Sequence, residues 1–167
     1  QLDFIVHGDP NPDFYGGLRN TLTYKDFTLD FFFHGSYGNE ILNAAYHLGY
    51  FGRDPRSNLL PIVKDRWTTS NQNSDIPRAG SSFGNYQQRS DVSYQDGSFL
   101  RLKNVTLTYD LDIPGIKRAS IYLTGNNLLL FTKFTHGDPE QSNYGDALEQ
   151  GVANGGYPYN SSFALGF

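Results

Sequence analysis

The sequence predicts an all-β fold of antiparallel membrane-spanning strands, and three observations lead to that prediction. Its last residues, YNSSFALGF, alternate large apolar side chains with small ones at the two-residue period of a strand. Aromatic residues make up 16% of the chain, whereas charged residues make up only 18%. Short and long connections alternate along the chain, which is typical of outer-membrane barrels with short periplasmic turns.

The composition argues against several other classes of protein. The mean hydropathy is -0.51, and no run approaches the ~18 to 20 apolar residues of a transmembrane helix. Cysteine is absent, so disulfides and thiolate metal sites are excluded. The net charge is -4 and the basic residues are scattered, so there is no surface for nucleic acid. The first residues, QLDFIVHGDP, do not resemble a signal peptide.

A first hairpin is predicted from strands near residues 16–25 and 27–37. The two-residue turn Lys25–Asp26 would place Tyr24 opposite Phe27. One face of this hairpin is almost wholly apolar, and the other is mostly polar. The alternation predicts apolar side chains towards lipid and polar ones towards a barrel interior, although a soluble sheet with one wet face has the same pattern.

A second pair of strands is predicted near residues 98–109 and 119–131, around a short connection that contains proline and glycine. Arg101 and Lys103 fall in phase with the apolar residues of their strand. At the bilayer midplane each charge would cost roughly 2 to 4 kcal/mol, falling to about 0 to 1 kcal/mol near the interface. Either both residues lie at the rim of the barrel, or a β-bulge shifts the phase of the strand.

Two long segments separate these strands. Residues 38–97 show apolar residues at near-helical spacing over Asn39–Tyr50 and near Leu59–Trp67, followed by a polar run rich in turn residues. Residues 135–158 form a second polar stretch. Connections of this length in a compact domain are usually functional. We therefore expect two extracellular loops, the first carrying two short helices.

The last strand is predicted near residues 159–167, with Phe163, Leu165 and Phe167 on its apolar face. An amphipathic strand that finishes on a phenylalanine resembles the signal by which outer-membrane barrels are handed to their insertion machinery. These three residues are therefore the candidate assembly signal. The alternative is an ordinary edge strand of a soluble sheet.

Five blocks of sequence together resemble a known family. They are GDPNPDFYGGLRNTLTYKDFTLDFFFHGSYGNEILN, VKDRWTTSN with DIPRA, DGSFLRLKNVTLTYDL, ASIYLTGNNLLLFTKFTHGDPE and the terminal ALGF. In this order, over essentially the whole chain, they resemble the C-terminal part of SusC-like TonB-dependent transporters. Any one block is degenerate, whereas five in sequence are specific.

The resemblance implies a fold, a location and a set of partners. The fold would be five to six C-terminal strands of a barrel of about twenty-two strands closed around a plug. Five or six strands would not close a barrel by themselves, because the smallest such barrels have about eight. The location would be the outer membrane of a Gram-negative bacterium, in contact with lipid. The partners would be the plug and N-terminal strands of the same barrel, a SusD-like surface lipoprotein and, through the missing N-terminal part, the TonB complex.

Catalytic, cofactor and metal sites are not expected. The histidines are far apart, and Asp9, Asp13, Asp138 and Glu140 are interpreted as turn residues beside prolines, since they lack the spacing of a calcium loop. No nucleophile motif or acid–base pair is evident.

Aromatic residues of the loops are the candidates for contact with a ligand or partner protein. They would stack on sugar rings or pack against a lid protein; the alternative is that they hold the loop together. The candidates are Tyr46, Tyr50, Phe51, Trp67, Phe83 and Tyr86.

We interpret the chain as the barrel-wall and surface-loop portion of an outer-membrane SusC-like importer of glycans or peptides. Two alternatives remain open. A non-transporting barrel that anchors a surface complex would lack plug-bearing sequence upstream. A secreted all-β carbohydrate-binding module would be soluble without detergent.

Overall fold

The computed structural model describes residues 8–51, 58–79, 91–141 and 150–167. No helix in these ranges is long and apolar enough to cross a membrane. The regular elements, in chain order, are β1 (Phe14–Tyr24), β2 (Phe27–Tyr37), β3 (Glu40–Asn43), α1 (Ala44–Phe51), a 3₁₀ turn (Pro61–Asp65), a second 3₁₀ turn (Asp91–Ser93), β4 (Tyr94–Asp96), β5 (Phe99–Leu111), β6 (Ala119–Thr132), a third 3₁₀ turn (Pro139–Gln141), β7 (Val152–Ala153) and β8 (Ser162–Gly166).

The main sheet has five strands in the order β1-β2-β5-β6-β8, and every pair is antiparallel. This confirms the predicted all-β, antiparallel fold class. In the first hairpin Tyr24 opposes Phe27 across a two-residue turn, as predicted, and Lys25 in that turn has a φ of 52°. β1 and β2 have 11 residues each, which matches the ~9 to 11 residues that a strand needs to cross a bilayer.

The two faces of the main sheet differ in chemistry. Strand register keeps each face continuous: Leu29 lies between Leu22 and Leu107 of the neighbouring strands. On one face, which we call the lipid face, large apolar side chains are exposed on all five strands: Leu18, Leu22, Phe27, Leu107, Ile121, Leu123, Phe163 and Leu165. On the opposite face, the lumen face, the side chains are mostly polar: Arg19, Thr21, Asp30, Thr106, Thr124 and Asn126.

A β-bulge at Lys103 reverses the face on which part of β5 displays its side chains. Phe32 and Phe33 are adjacent on β2 but pair with residues two apart on β5, so Lys103 is an extra residue between them. The shift places Leu102 opposite Phe33 on the lipid face and turns Arg101 to the lumen. Of the two explanations that the sequence allowed for these cations, the structure shows the bulge.

A second, smaller sheet brings the long segments together. β3 pairs with β4 antiparallel and with β7 parallel, in the order β4-β3-β7. Its core contains Ile41, Phe134 and Ala153, and Ile41 is fully buried. We call this sheet, together with α1, the loop layer.

Helix boundaries in the loop layer differ from those expected from the sequence. The helix expected over Asn39–Tyr50 begins only at Ala44, because Glu40–Asn43 pairs with strands that lie far along the chain. The helix expected near Leu59–Trp67 is a 3₁₀ turn confined to Pro61–Asp65. Apolar residues at helical spacing therefore did not distinguish a helix from a short strand with distant partners.

The last strand is shorter than expected. β8 covers Ser162–Gly166, whereas the sequence pattern placed its start near residue 159. Just before β8, Ser161 Oγ donates to the Asn127 carbonyl at 2.7 Å, and Asn127 Nδ2 donates to the Asn160 carbonyl at 3.3 Å. These side-chain bonds take the place of strand pairing, and the alternation of side chains does not reveal them.

Inserting an alanine between Lys103 and Asn104 should destabilise the folded protein far more than the substitution Lys103→Ala. If the bulge still takes up a single residue, the insertion exchanges the faces of Arg101 and Leu102 and turns Arg101 towards lipid, where an arginine costs up to roughly 2 to 4 kcal/mol. The free energy of unfolding of the full-length protein in lipid vesicles, measured by denaturant titration, checks this. Equal losses for the two variants would contradict the assignment of Arg101 to the lumen by the bulge.

Candidate functional site

Polar side chains on the lumen face bond to one another across the strands. Asp30 accepts hydrogen bonds from Arg19 Nε at 3.0 Å and from Thr21 Oγ1 at 2.7 Å. Further across the sheet, Asn104 donates to Asn126 at 2.9 Å. A polar, hydrogen-bonded inner face is suited to the water-filled interior of a barrel.

A group of charged side chains joins the lumen face to the segment that follows β6, and we call it the Arg101 cluster. Its members are His34, Arg101, Lys103, Asp138 and Glu140. Arg101 Nη2 donates to Asp138 Oδ1 at 2.6 Å, and Arg101 Nε forms an ion pair with Glu140. Lys103 Nζ lies 3.3 Å and His34 Nε2 lies 3.2 Å from Glu140 Oε1.

The centre of the Arg101 cluster is almost inaccessible to solvent. Arg101 is 2% exposed and Asp138 is 3% exposed. Arg101 and Lys103 face two carboxylates, so the formal charges balance when His34 is neutral. Removing one partner of a buried ion pair typically costs about 3 to 5 kcal/mol, because the remaining charge is uncompensated. The cluster therefore holds the 3₁₀ turn Pro139–Gln141 against the wall of the sheet.

Tyr159 adds the segment before β8 to the same place. Its ring centroid lies 4.8 Å from Lys103 Nζ and 5.5 Å from the guanidinium carbon of Arg101, within the range of cation–π contacts. Its backbone N–H donates to Asp138 Oδ2 at 3.4 Å. Both ends of the connection between β6 and β8 are thus attached to the lumen face.

Asp138 and Glu140 are turn residues, as the sequence predicts, but their carboxylates have a second role. Asp138 Oδ1 accepts a hydrogen bond from the Glu140 N–H at 3.1 Å at the 3₁₀ turn, and both carboxylates also bind cations of β5. Asp9 is likewise a turn residue, since its Oδ1 accepts a hydrogen bond from the Asn11 N–H at 2.9 Å. The sequence contained a signal for these ion pairs that was not used. Two cations lie in phase with the apolar residues of β5, and two acidic residues follow the next strand, β6. Among the described residues, no group of His, Asp and Glu is arranged to hold a metal ion.

Two of the aromatic candidates for ligand contact come together on α1. The rings of Tyr46 and Tyr50 stack with centroids 5.7 Å apart, and the Tyr46 ring lies 5.3 Å from that of His136. Tyr50 is only 7% exposed, and its burial raises the pKa of the hydroxyl. Tyr50 therefore packs within the loop layer, and Tyr46 is the more accessible of the two. The other candidates are Phe51 at the end of α1, Trp67 in a separate turn, and Phe83 and Tyr86 outside the described residues.

Trp67 lies in a turn that is held by hydrogen bonds. The backbone N–H of Trp67 donates to the Ile76 carbonyl at 2.8 Å. Asn71 Nδ2 and Ser74 Oγ both donate to the Asp65 carbonyl, at 2.9 and 2.5 Å. The indole is 36% exposed on this ordered turn, so a partner could contact it without the cost of ordering the backbone.

The candidate assembly signal lies at the edge of the main sheet. Phe163, Leu165 and Phe167 are 71%, 76% and 103% exposed. Among the described strands, β8 pairs only with β6, where Leu165 opposes Leu123 of the lipid face. The apolar side chains of β8 therefore extend the lipid face to this edge. The other edge of β8 has no partner among the described strands.

Comparison with known proteins finds relatives of the chain, although no family model matches it. TonB-dependent receptors P26 and P3 of Formosa agariphila are 39% and 35% identical to it over 98% of its length. The chain is homologous to part of the TonB-dependent receptors. It spans 17% of the length of each of these curated relatives.

Solved structures show the same relationship. The RagAB peptide importer in its closed-closed state superposes with a TM-score of 0.78 at 28% identity, covering 96% of this chain and 17% of that one. Its open-open state gives a TM-score of 0.72 at 29% identity, covering 93% and 16%. The resemblance to SusC-like TonB-dependent transporters and the barrel-wall fold are thus confirmed. The relatives are receptors and an importer, which agrees with the prediction that the chain is not an enzyme.

Replacing Arg101 with glutamine in the full-length protein should release the segment that follows β6. The substitution leaves Asp138 and Glu140 without their buried cation, a loss of about 3 to 5 kcal/mol. The measurement is hydrogen exchange of the peptide covering residues 134–141, which should become faster. Adding Asp138→Asn should restore part of the protection, because it removes one uncompensated charge.

The matched control for this prediction is Arg19→Gln. Arg19 pairs with Asp30 on the same lumen face, but its side chain is 72% exposed, and such pairs contribute only about 0 to 1 kcal/mol. Equal exchange of residues 134–141 in the two variants would contradict a holding role for the cluster.

Replacing Phe167 with alanine should lower the amount of full-length protein inserted in the outer membrane. The side chain is fully exposed, so its removal changes an edge that the insertion machinery would bind and leaves the packing of the fold intact. Outer-membrane levels in cells with a working periplasmic protease provide the measurement. Tyr24→Ala, which removes an exposed aromatic from another strand, is the control. Wild-type levels for Phe167→Ala would mean that β8 is an ordinary strand.

Proposed function

We propose that the chain forms part of the wall and surface loops of an outer-membrane SusC-like TonB-dependent importer. The importer would take up glycans or peptides together with a SusD-like surface lipoprotein. One observation carries the proposal: a chain 39% identical to a TonB-dependent receptor folds into a sheet with an apolar lipid face and a polar lumen face. That combination suits a wall between lipid and water.

The main sheet is suited to be one section of a larger closed wall. Five strands are fewer than the about eight of the smallest membrane barrels. An open sheet edge is unfavourable in lipid because its N–H and C=O groups have no partner there. We therefore infer that β1 and β8 pair with further strands of the same barrel, which would also enclose the plug and receive energy through TonB.

The lengths of the connections support an orientation of the main sheet in the membrane. Two residues connect β1 to β2, whereas the path from β2 to β5 passes through α1 and the loop layer. Membrane barrels keep short turns on the periplasmic side and long loops on the outside. Residues 38–97 and 135–158 would thus be extracellular, and the Arg101 cluster would attach the second of them to the lumen face.

Two features support the assignment of partner and substrate. A structural neighbour, RagAB, is a peptide importer, which makes peptides one of the two substrate classes to test. The exposed indole of Trp67, on its hydrogen-bonded turn, offers the kind of rigid aromatic contact that dominates protein interfaces or stacks on sugar rings.

The substitution Trp67→Ala should weaken capture of the surface lipoprotein by at least about tenfold, since buried tryptophans are the commonest interface hot spots. Binding of the lipoprotein to the full-length receptor in detergent is the first measurement. Uptake of labelled peptides and oligosaccharides, in cells with and without TonB, is the second. Leu59→Ala, which removes another exposed apolar side chain of the same long segment, is the control.

The two measurements also separate the proposed function from its alternative. Import predicts uptake that is lost without TonB and reduced by Trp67→Ala. A receptor that holds the lipoprotein but takes up neither class of substrate would instead be a barrel that anchors a surface complex.

A further inference from the structure

The apolar alternation of β8 does not by itself determine the register of this strand. All five residues of β8 pair with β6, and Leu165 lies opposite Leu123. A slip of two residues keeps every apolar side chain on the lipid face, because the side-chain period of a strand is two. Such a slip would place Phe163 opposite Leu123 in one direction and Phe167 opposite it in the other. Other contacts must therefore distinguish the observed register from these alternatives.

On the lumen face, an aromatic ring of β6 lies over a glycine of β8. Tyr122 is directly opposite Gly166. A Cβ on Gly166 would lie 2.7 Å from Cε1 of the Tyr122 ring and closer still to its Cζ, so a side chain there would push the ring off the strand. A slip of two residues would bring Ala164 beneath the ring in one direction. In the other direction it would move Gly166 away to a position opposite Thr124.

On the lipid face the roles of the two strands are reversed. Phe163 of β8 is directly opposite Gly125 of β6. Gly125 is buried, whereas Leu123, two residues away on the same face, is exposed. A Cβ on Gly125 would lie 3.2 Å from Cε1 of the Phe163 ring and 3.0 Å from the methyl carbons of Leu128. Each strand thus contributes one ring and one glycine, and a slip of two residues in either direction would separate both pairs.

Asn127 holds the segment that leads into β8. Its φ is 51°, in the left-handed region that asparagine adopts more readily than most residues. Its carbonyl accepts a hydrogen bond from Ser161 Oγ at 2.7 Å, and its Nδ2 donates to the Asn160 carbonyl at 3.3 Å. A slip of two residues would put Tyr159 or Phe163 in the place of Ser161, and neither carries a hydroxyl on its Cβ. The bond to the Asn127 carbonyl is therefore specific to the observed register.

We propose that the two ring–glycine pairs, together with Asn127, set the register of β8 on β6. The register of the strands fixes the shear of a closed barrel, which is linked to its diameter. A slip of two residues in β8 would be passed on to any strand that pairs with its other edge. This consequence for closure rests on the proposed function, in which β8 pairs with a further strand of the barrel. The register itself is a property of β6 and β8.

Disulfide cross-linking of the full-length protein measures this register, and residues 1–167 contain no cysteine that would interfere. Opposed residues have Cα atoms about 4.5 to 5.5 Å apart, within reach of a disulfide, whereas residues two out of register are about 7 to 8 Å apart. Leu123→Cys with Leu165→Cys reports the observed register. Thr124→Cys with Ser162→Cys, and Leu123→Cys with Phe167→Cys, report slips of two residues in the two directions. Without further changes, only the first pair should cross-link efficiently.

Removing both rings should populate the slipped registers. Tyr122→Leu with Phe163→Leu keeps large apolar side chains but leaves no flat ring over either glycine. A cross-strand pair favours one register by up to about fivefold, so losing two should raise the slipped cross-links about tenfold. Phe131→Leu is the control, because it removes an exposed ring of β6 outside the stretch that pairs with β8. It should leave the register unchanged.

Exchanging the two small residues of β8 should also give the slip a direction. Ala164→Gly with Gly166→Ala leaves the composition and the apolar face of β8 unchanged. The glycine then lies where a slip of two residues brings it beneath Tyr122, so the cross-link between positions 124 and 162 should increase. Ala164→Gly alone is the control, and it should keep the observed register because Gly166 remains beneath the ring.

Adding Asn127→Gly to the exchange should raise the slipped cross-link further, because glycine keeps the left-handed backbone and removes the side-chain bond. Cross-links are counted in the folded fraction, which heat-modifiability on a gel identifies. If the ring-free variant does not fold, the exchange variant decides, since it only moves one methyl group along β8. Observed-register cross-links alone in the exchange variant, with or without Asn127→Gly, overturn the proposal. Slipped cross-links in a protein that takes up no substrate would support the proposal and overturn only the proposed import.

Discussion

Backbone hydrogen bonding in lipid is the constraint on which the rest of the structure depends. Hydrocarbon offers no partner to an N–H or C=O group, so the wall must pair its strands continuously. Pairing sets the register, and the two-residue period then decides which side chains meet lipid. Leu22, Leu29 and Leu107 lie side by side because three neighbouring strands obey one register. A slip of one residue in any of them would exchange its apolar and polar faces.

The bulge at Lys103 uses that same period to connect the wall to the loops. By adding one residue, it lets β5 keep apolar side chains on the lipid face while Arg101 points into the lumen. The cation then meets Asp138 and Glu140, which arrive from the far side of β6. A single local irregularity thus satisfies the lipid face and creates the attachment of a long connection. If Lys103 were paired in a regular strand, Arg101 would face lipid and Leu102 would face the lumen.

The strands could be predicted from the sequence because each one carries its own alternation, as in β1 and β2. Strand Glu40–Asn43 could not be predicted, since its partners β4 and β7 are distant along the chain and its own residues are too few to show a period. Half of the candidate site was visible: Arg101 was out of place on an apolar face, which indicated a bulge or a rim. Its acidic partners depend on how the segment after β6 folds back, and that is decided by tertiary packing.

Asn43 shows how the loop layer behaves mechanically. Its side chain is fully buried, its Oδ1 accepts a bond from the Tyr46 N–H at 2.8 Å, and its Nδ2 donates to the Thr135 carbonyl at 2.7 Å. One amide thus begins α1 and holds the segment after β6. A buried amide that loses a hydrogen-bond partner raises the free energy of the folded state. Both bonds of Asn43 would therefore resist a separation of α1 from the segment after β6. Pulling on α1 would therefore drag residues 135–140 with it, and the force would reach the barrel wall at Arg101.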